Sequence, residues 1–133
     1  VLLAGCWWDK GHMLVSQIAW NYLTQQQLNT TLDQFYQLIL ALNPLTDGRS
    51  QTFIEAAVWA DDIKDYGANL FDNYHFTNIP YDPDFMFKGM TDLQHDINAI
   101  NTINWCISVL SLNQNGVSFE RAFMARYLLH IVG

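Results

Sequence analysis

Apolar residues recur at helical spacing along most of the chain, and this periodicity constrains the fold more than any other feature. Residues three and four positions apart lie on one face of an α-helix, so such runs predict helices with one buried face. The predicted helices cover residues 11–26, 28–42, 52–64, 91–112 and 118 to the end of the sequence. The predicted fold class is therefore all-α.

The ends of these helices carry recognisable signals. Thr52 followed by Glu55 has the spacing of a capping box and opens the third helix. Asn43-Pro44 stops the second helix, and Ser118 caps the last one. These signals set the helix boundaries independently of the apolar periodicity.

The same spacing predicts which side chains are buried. In the first helix they are Val15, Ile18, Ala19, Tyr22 and Leu23, and in the second Leu32, Phe35, Leu38, Ile39 and Leu42. In the fourth they are Leu93, Ile97, Ile100, Ile103, Ile107 and Leu110, with Cys106 expected as a buried thiol.

Composition limits the function. Half of the 133 residues are hydrophobic, which is enough for the core of one domain. The formal charge of −7 disfavours binding to phosphate polymers, because such binding rests on Lys and Arg. A nucleic-acid function would therefore need positive charge from elsewhere, and bound metal ions are the obvious source.

The apolar run at residues 1–6 is interpreted as the end of a secretory signal that is cleaved before Trp7. Ala4 and Cys6 then occupy the −3 and −1 positions. Two alternatives are a lipoprotein cleavage box with Cys6 lipidated, and an ordinary buried segment. The sequon at Asn29 agrees with secretion. We expect a secreted, cell-surface or endomembrane-lumen protein without a membrane span after cleavage.

Three polar residues lie where helical spacing predicts an apolar face. Asp61 follows Val58 by three residues, although the last turn of its helix could also have reached solvent. His130 follows Phe123 by seven, and a hydrogen-bonded core histidine is the alternative. His12 precedes the first apolar stripe by one turn, where a surface histidine is the alternative. A buried carboxylate is costly unless it is paired or bound to a metal.

His75 lies between two aromatic residues in a segment with two prolines, which is too broken for a helix. Together with His12, Asp61 and His130 it gives three imidazoles and one carboxylate, which suit zinc. If cleavage leaves Trp7 at the N-terminus, its amino group is a further nitrogen ligand. No tight metal motif is present, so spacing alone leaves open a metal-free helical binding module.

Four motifs, in this order, resemble those of the class I nucleases, which are zinc-dependent, single-strand-preferring nucleases and 3′-nucleotidases. They are Trp7-Trp8-Asp9-Lys10-Gly11-His12, Trp59-Ala60-Asp61-Asp62, His75-Phe76 and Leu129-His130-Ile131-Val132-Gly133. The resemblance covers residues 7–133 and is greatest to the protist 3′-nucleotidase/nuclease branch. It implies a mainly helical fold like that of zinc phospholipase C, so a phospholipase C-like hydrolase is the alternative enzyme.

The resemblance implies three zinc ions in a complete domain. One would be bound by the amino group and carbonyl oxygen of Trp7 and by His12. A second would be bound by Asp61, His75 and His130, with Asp61 also acting in catalysis by orienting the attacking water.

The resemblance also implies the substrate contacts. Phe76 would stack on a nucleobase. Asn78 stands where the family often has an Asp that hydrogen-bonds the base, so the base preference stays open. Lys64, one turn after Asp61, would contact phosphate.

The implied reactions are hydrolysis of single-stranded DNA and RNA to 5′-phosphate products and of 3′-nucleotides to nucleosides, without an obligate protein partner. In the family the last motif continues with a zinc-bridging Asp and the ligands of the third zinc, whereas this sequence stops at Gly133. Residues 7–133 are therefore expected to be the N-terminal part of a nuclease domain. They would hold at most two incomplete zinc sites and have little activity alone.

Overall fold

The computed structural model describes residues 9–46, 48–67, 69–77, 97–112 and 116–133. Within these ranges the chain is helical and contains no strand, so the predicted all-α class is confirmed. The α-helices are α1 (Asp9–Gln25), α2 (Asn29–Ala41), α3 (Trp59–Asp62), α4 (Ala99–Ser111) and α5 (Phe119–Val132). Short 3₁₀ turns occupy Asn43–Leu45, Glu55–Val58, Ile63–Tyr66 and Asn69–Tyr74.

The predicted capping signals are present. The Thr52 amide donates to the Glu55 carboxylate at 3.1 Å, and the Glu55 amide donates to the Thr52 hydroxyl at 3.2 Å, which is a reciprocal capping box. Ser118 accepts the Arg121 amide at 3.2 Å and caps α5. The cap of α4 is Asn98, which accepts the Asn101 amide. The prediction of one helix over 91–112 was wrong, because Asn98 has an extended backbone and α4 begins at Ala99. Residues 91–96 lie outside the described residues.

The third predicted helix is not continuous, and the prediction of an uninterrupted helix over 52–64 was wrong. A single α-helical turn, α3, lies between the 3₁₀ turns Glu55–Val58 and Ile63–Tyr66. Gly67 ends this segment with a φ of 89°, a left-handed conformation that glycine adopts without a steric penalty. The segment is short, but it carries Asp61.

Helix α5 contacts each of the other four α-helices and the 55–58 turn. One cluster of buried residues joins α2, the 53–57 segment and α5. A second joins α3, α4 and α5 around Cys106, whose predicted burial is confirmed. None of the helices in the described ranges is long and apolar enough to cross a bilayer.

The predicted buried face is right for α2 and only partly right for α1 and α4, where Leu23 and Leu110 pack against the core as predicted. In α1, Ile18 and Tyr22 are each 59% exposed. The buried residues of that helix are His12 and Ser16. In α4 the buried residues are Thr102, Cys106 and Val109, whereas Ile97, Ile100 and Ile107 are exposed. Apolar residues occur on several sides of both helices, so spacing alone could not select the side that packs.

Arg126 is fully buried in the middle of α5. Its guanidinium donates to the carbonyl oxygens of Ile39 and Ser50, each at 2.7 Å, and to the side chain of Asn43. Burial lowers the pKa of Arg126 to about 10, so the group stays charged at neutral pH. The buried charge is thus satisfied by acceptors at the end of α2 and in the following loop.

We predict that Arg126→Met destabilises the protein by at least about 3 kcal/mol, because several buried acceptors lose a charged donor. Chemical denaturation followed by circular dichroism measures the change. Glu120→Gln, an exposed change on the same helix, should stay within about 0.5 kcal/mol of the parent. Equal unfolding midpoints for Arg126→Met and the parent would show that the network does not support the fold.

Candidate metal centre

Three side chains from three helices converge at one end of the molecule. One ligand atom from each of His12 on α1, Asp61 on α3 and His130 on α5 lies within 4.8 Å of the other two. The Asp61 carboxylate oxygens are 3.8 Å from His12 Nε2 and 3.7 Å from His130 Nε2. Both histidines are buried. The structure thus brings together three of the predicted ligands, which are 49 and 69 positions apart in the chain (61 − 12 and 130 − 61).

The ring of His130 is held by the backbone of a neighbouring segment. Its Nδ1 lies 2.8 Å from the carbonyl oxygen of Ala57. A carbonyl oxygen only accepts, so Nδ1 carries the proton and Nε2 keeps its lone pair. The ligand atom therefore points to the side of the ring where Asp61 lies.

His12 stacks on His130, with ring centroids 4.1 Å apart. A Cβ placed on Gly133 would lie 3.3 Å from both the Cα and Nδ1 of His12, so a side chain at this position would crowd α1. Neither ring nitrogen of His12 has a hydrogen-bond partner among the described residues. Buried polar atoms without a hydrogen-bond partner are rare in folded proteins, and a metal ion would satisfy one of the two nitrogens.

These groups fit a zinc ion. The lone pair of His130 Nε2 faces a carboxylate oxygen, and two acceptors at 3.7 Å repel each other unless a cation lies between them. Ligands about 2.0 Å from a tetrahedral zinc lie about 3.3 Å apart, close to the observed separations. Two imidazoles and one carboxylate are also the ligand types that zinc selects.

Lys64 is the cation nearest to Asp61 among the described residues, with Nζ 2.9 Å from Oδ1. Burial raises the pKa of Asp61, but the hydrogen bond from Lys64 and the positive charges nearby outweigh it, and the net pKa lies below its ordinary value. Lys64 also lies 3.7 Å from Asp72. The carboxylate is therefore ionised at neutral pH, as a metal ligand must be.

His130 and the neighbouring His75 are uncharged at neutral pH. Burial and, next, the neighbouring His12 lower the pKa of His130 to about 4. Burial also lowers the pKa of His75. An unprotonated imidazole is the form that binds metals.

His75 borders the group of three instead of belonging to it. Its ring packs edge-on against that of His130, with centroids 4.9 Å apart, and its buried Nε2 has no partner among the described residues. Phe76 next to it is 49% exposed, and its carbonyl accepts the amide of Ala99 at the start of α4. A half-exposed aromatic ring thus follows His75 directly in the chain.

Arg49 is a residue that the sequence analysis did not identify. Its guanidinium makes a hydrogen bond to Asp9 at 2.9 Å and several to Asp62. It thereby connects the start of α1 to α3 and helps to hold His12 close to Asp61. Arg49 also lines a side cavity of about 650 Å³, where its guanidinium is bound to the carboxylates of Asp9 and Asp62.

Arg49 lies 40 positions from Asp9 and 13 positions from Asp62 in the sequence. No local pattern pairs an isolated loop arginine with acidic residues so far away. Two other predicted residues, the ligand Trp7 and the base-contacting Asn78, lie outside the described residues. Their roles stay predictions.

The architecture and the converging ligands define a helical protein with a candidate metal centre. A family model described as S1/P1 nuclease matches residues 7–133. The chain belongs to the S1/P1 nuclease family, and it is a nuclease, a hydrolase whose substrate is nucleic acid. This confirms the resemblance to the class I nucleases, while the protist branch stays a prediction. No curated protein and no solved structure matches the chain significantly.

We predict that zinc raises the free energy of unfolding of the chelator-stripped protein, because only the folded chain holds the ligands together. The gain is about 2.7 kcal/mol when free zinc exceeds its dissociation constant 100-fold. Asp61→Asn should lose most of this gain, whereas Asp33→Asn, which changes an exposed carboxylate on α2, should retain it. Denaturant titrations with and without zinc measure the gain. An undiminished gain in Asp61→Asn would exclude this carboxylate as a ligand.

Proposed function

We propose that this nuclease is zinc-dependent and hydrolyses single-stranded DNA and RNA to 5′-phosphate products, and that it also converts 3′-nucleotides to nucleosides. The convergence of Asp61 with His12 and His130 is the observation that carries the proposal. Zinc, when bound, lowers the pKa of a coordinated water toward about 7 and polarises a phosphoryl oxygen. Both effects are what hydrolysis of a phosphodiester requires.

The residues of this chain would have distinct roles. His12, His75 and His130 would hold metal through neutral imidazoles, together with the amino group and carbonyl of Trp7. The ionised Asp61 would be a ligand and would orient the attacking water. This set is incomplete for the three zinc ions that the family resemblance implies.

Lys64 would bind the substrate phosphate. Its Nζ lies 2.9 Å from Asp61 and 3.7 Å from Asp72, which places it beside the candidate metal centre. With a formal chain charge of −7, a polyanion must be attracted locally, and Lys64 and the bound metal would supply that attraction. Binding should therefore weaken when either is removed.

Phe76 would give the preference for single strands. Its half-exposed ring can stack on a base, and only an unpaired base presents its face. Asn78 would contact the edge of that base. The same aromatic edge supports a nucleotide over a lipid headgroup as the substrate.

We also propose that the protein is secreted and that its nuclease domain includes residues 7–133. The apolar run before Trp7 supports secretion, and the family match supports the extent of the domain within this chain. In this arrangement the first mature residue is the predicted ligand Trp7. No obligate protein partner is expected.

The function is tested with the full-length protein after chelation and dialysis. Zinc, and not magnesium, should restore hydrolysis of a single-stranded oligonucleotide and of adenosine 3′-phosphate, with little cleavage of the matching duplex. Phosphatidylcholine vesicles should stay intact. Equal activity before and after zinc removal would contradict the zinc dependence, and faster hydrolysis of the lipid would favour the phospholipase C-like alternative.

We predict that Phe76→Ala raises the KM for a single-stranded oligonucleotide about 5- to 150-fold, which corresponds to the roughly 1–3 kcal/mol of one base stacked on an aromatic ring. Ribose 3-phosphate, which has no base, should be hydrolysed at the parent rate. Phe119→Ala, which removes another exposed phenyl ring, is the matched control. Steady-state kinetics decide between stacking and a structural role, since a structural defect would slow both substrates.

A further inference from the structure

The hydroxyl of Tyr127 lies in a small hydrogen-bonded cluster behind His75. It donates to the carbonyl oxygen of Phe71 at 3.1 Å and lies 3.0 Å from His75 Nδ1. The same carbonyl lies 2.8 Å from His75 Nδ1. Tyr127 is only 1% exposed, while Phe71 and His75 are partly buried.

Only one arrangement of protons satisfies all three groups. If His75 carries its proton on Nδ1, it donates to the Phe71 carbonyl, whose second lone pair accepts the Tyr127 hydroxyl. If the proton were on Nε2, a bare Nδ1 would face a carbonyl oxygen at 2.8 Å and the two would repel each other. The cluster therefore selects the tautomer that leaves the lone pair on Nε2.

Tyr127 also ties His75 to the helix that carries another candidate ligand. It lies on α5 one turn before His130, and its ring packs edge-on against His75 with centroids 5.3 Å apart. The His75 and His130 rings are themselves in contact. The position of His75 relative to His130 is thus set from α5 itself.

We propose that Tyr127 is a positioning residue that orients His75, and helps to select its tautomer, so that Nε2 can bind the metal. The proposal rests on the proposed role of His75 as a zinc ligand. Tyr127 itself does not bind metal or substrate. Hydrogen-bond partners of this kind raise metal affinity because the ligand is already oriented before it binds.

The test is a double-mutant cycle on zinc affinity, measured by competition with a chromogenic chelator. Tyr127→Phe removes only the hydroxyl and should weaken zinc binding about 10- to 100-fold. Tyr36→Phe, the same deletion at a partly buried ring that packs on Trp20, should change the affinity less than about twofold. In a His75→Ala background, adding Tyr127→Phe should have no further effect.

The zinc affinities distinguish the positioning role of Tyr127 from the ligand role of His75. If Tyr127→Phe leaves the affinity unchanged while His75→Ala lowers it, the positioning role is wrong and the ligand role stands. If Tyr127→Phe weakens binding equally in the His75→Ala background, it acts through the fold and the proposal fails. If His75→Ala itself has no effect, the ligand assignment fails, and the proposal fails with it.

A second measurement needs no variant. Long-range ¹H–¹⁵N correlation spectra of the ¹⁵N-histidine-labelled, zinc-free protein report which nitrogen of each ring is protonated. His75 should be an Nδ1–H tautomer, with a through-space contact from that proton to the Tyr127 ring. An Nε2–H tautomer would overturn the proposal.

Discussion

Hydrogen bonds from polar side chains of α5 to backbone carbonyl groups of four other segments are the interactions on which the rest of the structure depends. Arg126 donates to carbonyls of α2 and of the following loop, Tyr127 donates to the carbonyl of Phe71, and His130 bonds to that of Ala57. Buried polar groups are costly unless they are hydrogen-bonded. Each contact therefore fixes the relative position of two segments as well as contributing to stability. One helix thereby aligns the end of α2, the α3 segment and the turn before His75.

The candidate metal centre is a consequence of this alignment. The hydrogen bond to Ala57 places the Nε2 lone pair of His130 toward Asp61, and the Arg49 contacts hold the start of α1 against α3. His12 then completes a group of side chains that offer lone pairs and contain few hydrogen-bond donors. Lys64 partly neutralises the group, and a zinc ion would satisfy one of the two ring nitrogens of His12 that have no hydrogen-bond partner among the described residues. An acidic protein can in this way present positive charge to a phosphate.

The distance in sequence between interacting residues decides which parts of the fold and of the candidate metal centre could be predicted. The capping box of Thr52 and Glu55 and the Ser118 cap are local, and the sequence predicts them correctly. The polar residues Asp61 and His130 were predictable because they interrupt apolar faces. The buried sides of α1 and α4 were not, because apolar residues surround both helices. The Tyr127 contact to His75 spans 52 positions and has no local signature.

The most direct test of the central claim is the anomalous scattering of crystals grown with zinc, recorded on both sides of the zinc absorption edge. The account predicts a peak that appears only above the edge, at about 2.0–2.2 Å from Nε2 of His130 and from a carboxylate oxygen of Asp61. A fully occupied zinc ion elsewhere, with no peak between these side chains, would contradict it. In that case the convergence of His12, Asp61 and His130 would be a feature of the core, and the nuclease would need a different site for its chemistry.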